Sequence, residues 1–268
     1  MAKIRLDQLL VQQELASSRE RGKRLVMAGS VYVNGQRVDK PGTAVSADSL
    51  VEVRGNAFPF VSRGGLKLEK AFSEFDFDVK NCSVIDVGAS TGGFTDCLLQ
   101  HGARRVYAVD VGYGQLDWKL RTDERVVVME RTNIRHLRAA DLPEVLDAAV
   151  VDVAFISLTK FFGTLLALLC SGADAVVLIK PQFEAGKHRV GKKGVVRDWG
   201  VHREVLSMLC RTLQAEGAGL QDLTYSPIRG PEGNVEYLAH LQKGAPIEEC
   251  ESRCLRVVEM AEACMKLG

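Results

Sequence analysis

Residues 83–93 read Ser-Val-Ile-Asp-Val-Gly-Ala-Ser-Thr-Gly-Gly. The first five form a mostly apolar run of strand length, three glycines follow, and a helical pattern begins near Phe94. A buried strand, a glycine turn and a helix in this order are typical of the ligand-binding unit of a parallel sheet. Glycine also lets a backbone approach a ligand closely. The stretch therefore predicts an α/β domain with a ligand site beside the glycines.

The chain beyond residue 65 alternates between strand-like and helix-like patterns. Apolar runs of strand length occur at residues 106–109, 126–129, 148–153, 175–179, 223–225 and 235–241. A helix is marked by Leu68, Phe72 and Phe75, and helical patterns also occupy residues 158–170 and 247–266. This alternation predicts a doubly wound, Rossmann-like α/β sheet over residues 65–268.

The first part of the chain predicts a smaller α+β unit. Residues 3–14 have the leucine spacing of an amphipathic helix, and Ser17 with Glu20 has the capping-box spacing that starts a second one. A strand at 31–33 runs into Asn34-Gly35, a strong hairpin signal, and 51–53 is a further strand. We predict this domain at residues 1–58, an interdomain linker at 59–64, and the larger domain at 65–268.

Charge is unevenly distributed along the chain. Residues 1–70 carry 12 Lys and Arg against 7 Asp and Glu, whereas residues 71–268 carry 23 against 27. A basic head on a mildly acidic body indicates that the head meets a polyanion, although chance scatter gives the same excess. Residues 180–197 hold six Lys and Arg against Glu184, and we expect this loop to clamp phosphates rather than to be only a solvated loop.

The cysteines give no sign of a metal site. The seven cysteines include no C-x-x-C pair, and no histidine stands at a zinc-finger spacing. We expect reduced thiols, no metal and a cytoplasmic, monomeric protein. The sequence shows neither an apolar signal segment nor a run long enough to cross a bilayer, so we expect no membrane partner.

The glycine loop favours one class of ligand over others. Asp110 lies 22 residues after Gly88 at a strand end, the spacing of an acid that binds ribose hydroxyls. The glycine spacing is not that of a dinucleotide site, and no Walker lysine is present. Asp86, Ser90 and Thr91 suit a cationic amino-acid group, so S-adenosylmethionine (SAM) fits. Asp86 as a structural cap and Asp110 as a turn residue remain open.

Charged side chains interrupt three apolar runs near the predicted strand ends. They are Asp152, Lys180 and Glu236, and Lys67 lies on the helix that opens the domain. A charge at such a place is costly unless it is paired or used in chemistry, so a catalytic group and a structural ion pair are both open. Lys67 taken alone is typical of a solvated lysine. Phe155 and Phe183, close to these ends, are candidates for stacking on a flipped base or for core positions.

Two resemblances extend these predictions. Residues 5–10, 18–19 and 29–35 resemble the S4-type (alpha-L) RNA-binding motif, which implies docking on structured RNA. Residues 86–95 resemble the cofactor loop of the FtsJ-type ribose methyltransferases, and Lys67, Asp152, Lys180 and Glu236 match that family's Lys-Asp-Lys-Glu tetrad in order. With residues 61–69, 108–116 and 178–184, the whole chain resembles the TlyA (hemolysin A) family of two-domain ribosomal RNA methyltransferases.

The resemblance implies SAM-dependent 2′-O-methylation of cytidines in 16S and/or 23S ribosomal RNA, with ribosomal RNA or subunits as partners. The implied SAM-binding residues are Asp86, Gly88, Ser90, Thr91, Gly92, Gly93, Phe94, Thr95, Asp110, Val111 and Asn133. The RNA-binding residues, implied by the resemblance and by charge, are Arg5, Arg19, Lys23, Arg24, Arg63, Lys187, Arg189, Lys192 and Lys193.

The residue types of the tetrad agree with this chemistry. A ribose hydroxyl is a poor nucleophile, so a base must take its proton near the moment of attack. A lysine serves as base only where burial or a second cation lowers its pKa, and Lys67 is placed to be that cation. We hypothesise that Lys180 is the base, that Asp152 orients it, and that Lys67 and Glu236 position the ribose.

Three other functions compete with this one. A NAD-dependent oxidoreductase is disfavoured by the glycine spacing and by the paired lysines. A non-catalytic RNA-binding assembly factor is disfavoured by the intact tetrad. A membrane-lytic hemolysin is disfavoured by the absence of a secretion signal, a membrane span and an extended amphipathic segment.

Overall fold

A computed structural model describes residues 3–16, 18–27, 29–53, 59–246 and 250–266, without the side chains of Arg24, Met265 and Lys266. The chain separates into two compact units, Met1–Arg63 and Gly64–Gly268. The predicted boundaries at 58 and 64 stay a prediction, since residues 54–58 lie outside the described part. Among the described residues, no helix has both the length and the apolar character needed to span a bilayer.

The first unit packs two helices with short strands. Its strands are β1 (Lys3–Arg5), β2 (Val31–Val33), β3 (Gln36–Arg37), β4 (Ala44–Ser46) and β5 (Val51–Val53), and its helices are α1 (Leu6–Gln12) and α2 (Arg19–Met27). The strands form a three-stranded antiparallel sheet in the order β3-β2-β5 and a separate β1-β4 pair. Leu6, Leu9 and Leu10 are buried in its core, as their spacing predicted.

Two details of the first unit differ from the prediction. Residues 3–5 are a strand rather than the start of a helix, because they pair with Ala44–Ser46. Ser17 lies outside the described residues, and Ser18 provides the cap, since its Oγ accepts a hydrogen bond from Arg21 N at 3.2 Å. The hairpin prediction is confirmed: Asn34 and Gly35 have φ of 51° and 81°, the left-handed values that a two-residue turn requires.

The second unit is the predicted doubly wound α/β domain. Its strands are β6 (Ser83–Val87), β7 (Arg105–Val109), β8 (Val126–Met129), β9 (Leu146–Val151), β10 (Leu169–Ile179), β11 (Ala218–Tyr225) and β12 (Tyr237–Lys243). Its helices are α3 (Gly65–Glu74), α4 (Gly93–Gln100), α5 (Trp118–Arg121), α6 (Phe162–Leu168), α7 (Pro181–Glu184), α8 (Trp199–Ala215) and α9 (Glu251–Lys266).

The strand order places a ligand site between β6 and β9. The seven strands lie in the order β11-β12-β10-β9-β6-β7-β8, and β12 is antiparallel to both of its neighbours. The chain runs outward from β6 through β7 to β8 and then returns to β9 on the other side of β6. Ligands of open α/β sheets bind at such a reversal, beyond the carboxyl ends of the strands. The glycine loop follows β6 there, and Asp152 follows β9.

The sequence analysis missed or shortened several elements. Helix α8 was not predicted, although Asp198 caps it through Gly200 N at 2.8 Å and Leu206, Leu209 and Leu213 bury one face. Strand β10 begins at residue 169 rather than 175, because its first residues continue past a register shift against β9. Two strand ends at the site also differ: β9 ends at Val151 rather than 153 and β12 begins at Tyr237 rather than 235, so Asp152 and Glu236 lie just outside their strands.

Gly88 is a steric constraint on this sheet edge. Its φ is +88°, and a Cβ there would lie 2.5 Å from the backbone oxygen of Asp152. We expect Gly88→Ala to lower the free energy of unfolding by about 3 kcal/mol or more, because backbone strain adds to a clash that only strand separation relieves. The measurement is urea unfolding.

Gly114→Ala is the matched control for this prediction. Gly114 has φ of +69°, and a Cβ there would meet nothing within 4 Å. This variant carries the backbone cost alone, about 1–2 kcal/mol. Equal losses in the two variants would show that the close approach of Gly88 to Asp152 does not constrain the fold.

Candidate active site

Four charged side chains meet at the carboxyl edge of the sheet. Lys180 Nζ lies 2.5 Å from Asp152 Oδ1, and Lys67 Nζ lies 3.5 Å from Asp152 Oδ2 and 2.7 Å from Glu236 Oε2. Asp152 follows β9, Lys180 follows β10, Glu236 precedes the antiparallel β12, and Lys67 comes from the first turns of α3. We call these four residues the tetrad; they form a chain of alternating charges from Lys180 to Glu236.

The tetrad is withdrawn from water. The exposed side-chain fractions are 9% for Lys67, 20% for Asp152, 11% for Lys180 and 1% for Glu236. Lys67 is therefore not the solvated helix lysine that it resembles when taken alone. The charges of two ammonium groups and two carboxylates sum to zero, and their attraction offsets the free-energy cost of removing each charge from solvent.

Asp152 is the shared member of these pairs. Burial acts to raise the pKa of its carboxyl, but the charges of Lys67 and Lys180 outweigh burial and hold that pKa below its usual value. Asp152 is therefore a carboxylate at neutral pH. One carboxylate thus orients two lysine side chains at the point where the sheet presents its ligand loops.

The glycine loop is bound to the neighbouring strand end. Asp110, at the end of β7, accepts a hydrogen bond from Ser90 N at 2.9 Å and another from Gly112 N at 2.6 Å. Gly92, the residue before α4, has φ of +93°, and Ser90 is also left-handed at φ of +49°. The loop backbone therefore has one tight conformation, with Asp110 at its rim.

Asp86 is a fully buried carboxyl beneath this loop. Its Oδ2 accepts a hydrogen bond from Thr95 Oγ1 at 2.6 Å, whereas Oδ1 has no hydrogen-bond partner among the described residues. Burial raises the pKa of Asp86 to about 7, against the opposing effect of the Thr95 bond. A buried oxygen without a partner is unusual in proteins, and a cationic group of a ligand would satisfy it.

The other predicted cofactor-binding residues differ from one another in how exposed they are. Phe94 and Thr95 are buried within α4, whereas 71% of Val111 is exposed. Asn133 caps a short 3-10 turn by accepting a hydrogen bond from Arg135 N at 3.1 Å. Thr91 is half-buried, and its backbone oxygen accepts a hydrogen bond from Asp117 N at 3.2 Å. Their contacts with a cofactor stay a prediction.

An aromatic pair follows two tetrad residues along the chain, Phe155 three residues after Asp152 and Phe183 three residues after Lys180. Phe155 is 90% exposed and has φ of +65°, a rare conformation for a bulky residue, and its ring centroid lies 5.1 Å from that of Phe183. The alternative that Phe155 occupies a core position is therefore wrong. Backbone strain of this kind clusters at functional sites, so Phe155 stays a candidate for stacking.

Sequence reasoning assigned no role to Glu184 or Asn234. Glu184 Oε1 accepts a hydrogen bond from Leu158 N at 2.9 Å, which joins the segment after Asp152 to the segment after Lys180. The Asn234 side chain accepts a hydrogen bond from Val196 N at 3.1 Å and donates one to the Gly194 oxygen at 2.9 Å. Asn234, two residues before Glu236, therefore anchors the basic loop. The available signals were an acid in a basic loop and a polar residue beside Glu236.

The predicted RNA-binding cations divide into paired and exposed groups. Arg5 and Arg19 contact the buried carboxylate of Asp7 at 2.8 and 3.2 Å, yet both remain nearly half exposed. Lys23 forms an ion pair with Glu20, and Arg189 forms one with Glu204. Arg63 is half-buried, and Lys187, Lys192 and Lys193 are exposed. The side chain of Arg24 lies outside the described residues. Asp7 therefore gives Arg5 and Arg19 a structural role in addition to any RNA contact.

The pKa of Asp86 makes a prediction about stability. The folded protein binds the Asp86 proton more tightly than the unfolded chain does, because the pKa of Asp86 is near 3.8 when the chain is unfolded. The free energy of unfolding therefore falls as pH rises towards 7. We expect Asp86→Asn to have a higher melting temperature than the parent protein at about pH 8.5, and the difference to shrink towards about pH 5. Thermal unfolding without ligand measures it.

Asp110→Asn is the control, and its effect has the opposite sign. Both carboxylate oxygens of Asp110 accept backbone hydrogen bonds, and an amide offers only one acceptor oxygen. This variant is expected to be less stable than the parent protein. A lower melting temperature of Asp86→Asn at alkaline pH would contradict the prediction.

Known proteins share both units of this chain. Residues 60–243 match the FtsJ-like methyltransferase family, and residues 4–51 match the S4 domain. YqxC of Bacillus subtilis, whose name as an rRNA methyltransferase is provisional, is 52% identical over 98% of this chain and 96% of its own. The 16S/23S rRNA (cytidine-2'-O)-methyltransferase TlyA of Mycobacterium tuberculosis is 44% identical over 89% of each chain.

A solved structure extends the similarity to three dimensions. A Streptococcus thermophilus protein superposes on this chain with a TM-score of 0.80 at 44% identity, over 99% of this chain and 98% of that one. Both resemblances drawn from the sequence are thereby confirmed. The chain belongs to the FtsJ-like methyltransferase family and carries an S4 domain ahead of the methyltransferase domain.

Proposed function

We propose that this protein transfers a methyl group from SAM to ribose 2′-hydroxyls of ribosomal RNA, on cytidines of the 16S and/or 23S molecules. The observation that carries the proposal is the position of Lys180, held by Asp152 at the reversal point of the sheet, next to the glycine loop. The family supplies the reaction class, and TlyA, the relative from Mycobacterium tuberculosis, carries this activity in its name.

The residues around the glycine loop fit SAM. The unpartnered Asp86 oxygen suits the amino group of the cofactor, and Asp110 stands where an acid binds ribose hydroxyls. When bound, SAM supplies a methyl group on a cationic sulfur, which leaves as a neutral thioether.

Lys180 is the proposed general base. Lys180 would take the proton of the ribose 2′-hydroxyl, and to do so its amine must be unprotonated when the RNA binds. Lys67 Nζ contacts the same Asp152 carboxylate as Lys180, on the other oxygen at 3.5 Å. Asp152 orients the amine, and Glu236, 2.7 Å from Lys67, keeps the second lysine in place.

RNA binding is assigned to two surfaces. The S4 domain docks on structured RNA through shape and phosphate contacts, with Arg5, Arg19 and Lys23 on its surface. The basic loop with Lys187, Arg189, Lys192 and Lys193 follows Lys180 and contacts phosphates beside the target nucleotide. Phe155, with Phe183 behind it, stacks on the flipped base.

Lys180→Ala is the decisive test of catalysis. We expect methyl transfer to undermodified ribosomal subunits to fall by about 100-fold or more, because the hydroxyl then loses its base. SAM affinity, measured by calorimetry, is expected to stay within about twofold, since Lys180 lies outside the glycine loop. Lys180→Arg keeps a cation on Asp152 and is expected to be equally inactive.

The matched control is Lys80→Ala. Lys80 is an exposed lysine that precedes β6, at the edge of the sheet opposite the tetrad, and its removal leaves activity unchanged. Normal turnover by Lys180→Ala would remove Lys180 from the base role. If the parent protein binds RNA but modifies neither subunit and binds no SAM, it is an RNA-binding assembly factor instead.

The basic loop is tested through salt dependence. Replacing both Lys192 and Lys193 by Ala is expected to reduce the slope of log affinity against log salt for RNA by about 2, because each phosphate contact contributes close to one unit. SAM binding serves as the folding control, and Lys80→Ala leaves the slope unchanged. An unaltered slope in the double variant would show that the basic loop is a solvated loop that makes no phosphate contacts through Lys192 and Lys193.

A further inference from the structure

Three side chains outside the tetrad converge on the outer face of the second unit. Glu69 comes from α3, Cys97 lies in α4, and His101 directly follows α4. Glu69 Oε2 lies 2.8 Å from His101 Nε2 and 3.7 Å from Cys97 Sγ, and the three ligand atoms all lie within 4.8 Å of one another. Residues 97 and 101 are one helical turn apart, so their side chains project from the same face.

The three groups form a donor set suited to zinc. Thiolate sulfur, imidazole nitrogen and carboxylate oxygen bind Zn²⁺ at about 2.0–2.3 Å, which separates tetrahedral ligand atoms by roughly 3.3–3.8 Å. The distances from Glu69 Oε2 differ from that range by less than about 1 Å. One thiolate and one carboxylate also balance a divalent cation, so the loaded site carries no net charge.

The site is both prearranged and accessible. The His101 ring stacks on Phe72 of α3, with centroids 3.8 Å apart and planes within 9°, which fixes the direction of its nitrogens. Cys97 is fully buried, whereas the Glu69 and His101 side chains are 49% and 34% exposed. An ion can therefore enter from solvent, and water can complete a tetrahedral shell.

We infer that Cys97, His101 and Glu69 bind a divalent zinc-class ion, which joins α3 to α4. This inference departs from the expectation of no metal, which rested on spacing within the sequence and had no view of the third ligand on another helix. The ion would brace two elements of the proposed active site, since α3 carries Lys67 and α4 begins at the glycine loop.

A second thiol cluster provides the internal comparison. Cys210, Cys250 and Cys254 are buried, with their sulfurs also within 4.8 Å of one another. Three thiolates on a divalent ion would leave a net negative charge buried, which is costly. The Cys97 site is therefore the better zinc site of the two.

The experiment is a Co²⁺ titration of the full-length protein after removal of metals with a chelator. We expect one equivalent to bind, with a thiolate-to-cobalt charge-transfer band that Zn²⁺ abolishes. His101→Phe keeps the ring stacking and removes a ligand, and Cys97→Ser removes the thiolate. Each is expected to weaken binding by more than about 100-fold, the upper limit for groups that only support a ligand. Cys254→Ser binds like the parent protein.

Thermal unfolding provides a second readout that is independent of methyl transfer. Zn²⁺ is expected to raise the melting temperature of the parent protein and of Cys254→Ser, but not of His101→Phe. Circular dichroism checks that His101→Phe is folded. The inference is overturned if no ion binds at micromolar concentrations. It is equally overturned if Cys254→Ser loses the band while Cys97→Ser and His101→Phe retain it.

Discussion

The Asp152 carboxylate, shared by two lysine ammonium groups, is the interaction on which the arrangement of the site depends. An isolated buried charge is unstable in a protein interior, and removing one partner of a buried pair typically costs about 3–5 kcal/mol. Lys180 is therefore held through Asp152, and Lys67 is held by Asp152 together with Glu236. The parallel sheet supplies that position, because the ends of β9 and β10 are adjacent in it.

The main parts of the fold and most of the tetrad could be predicted from local patterns. An apolar run that ends in a charge marks both a strand and its edge, which is how Asp152 and Lys180 were found. The end of β6 and its glycines were recognisable for the same reason. The periodicity of apolar residues indicates which residues of one element are buried. A strand at the centre of a parallel sheet is buried along its length, so this pattern is sufficient to locate its end.

The remaining features depend on partners that are distant in sequence. The burial of Lys67 follows from its pairing with Asp152, just after β9, and Glu236, just before β12, which the pattern of α3 does not show. Asp7 pairs with Arg19, 12 residues along the chain, as well as with its neighbour Arg5, so a cationic surface contains structural charges. The exposure of Phe155 follows from a left-handed backbone conformation, which no propensity for phenylalanine predicts.

The antiparallel direction of β12 determines how one region of the protein can vary. Because β12 runs opposite to its neighbours, Glu236 reaches the carboxyl edge from the start of its strand. The connection from Ser226 to Asn234 therefore arches over the same rim as the glycine loop, closed by hydrogen bonds from Ser226 N to the Glu236 oxygen and from Gly230 N to the Asn234 oxygen. Insertions in this arch would alter its outline without disturbing the strand ladders, so this part of the rim can change shape while the strand ends beneath it stay in place.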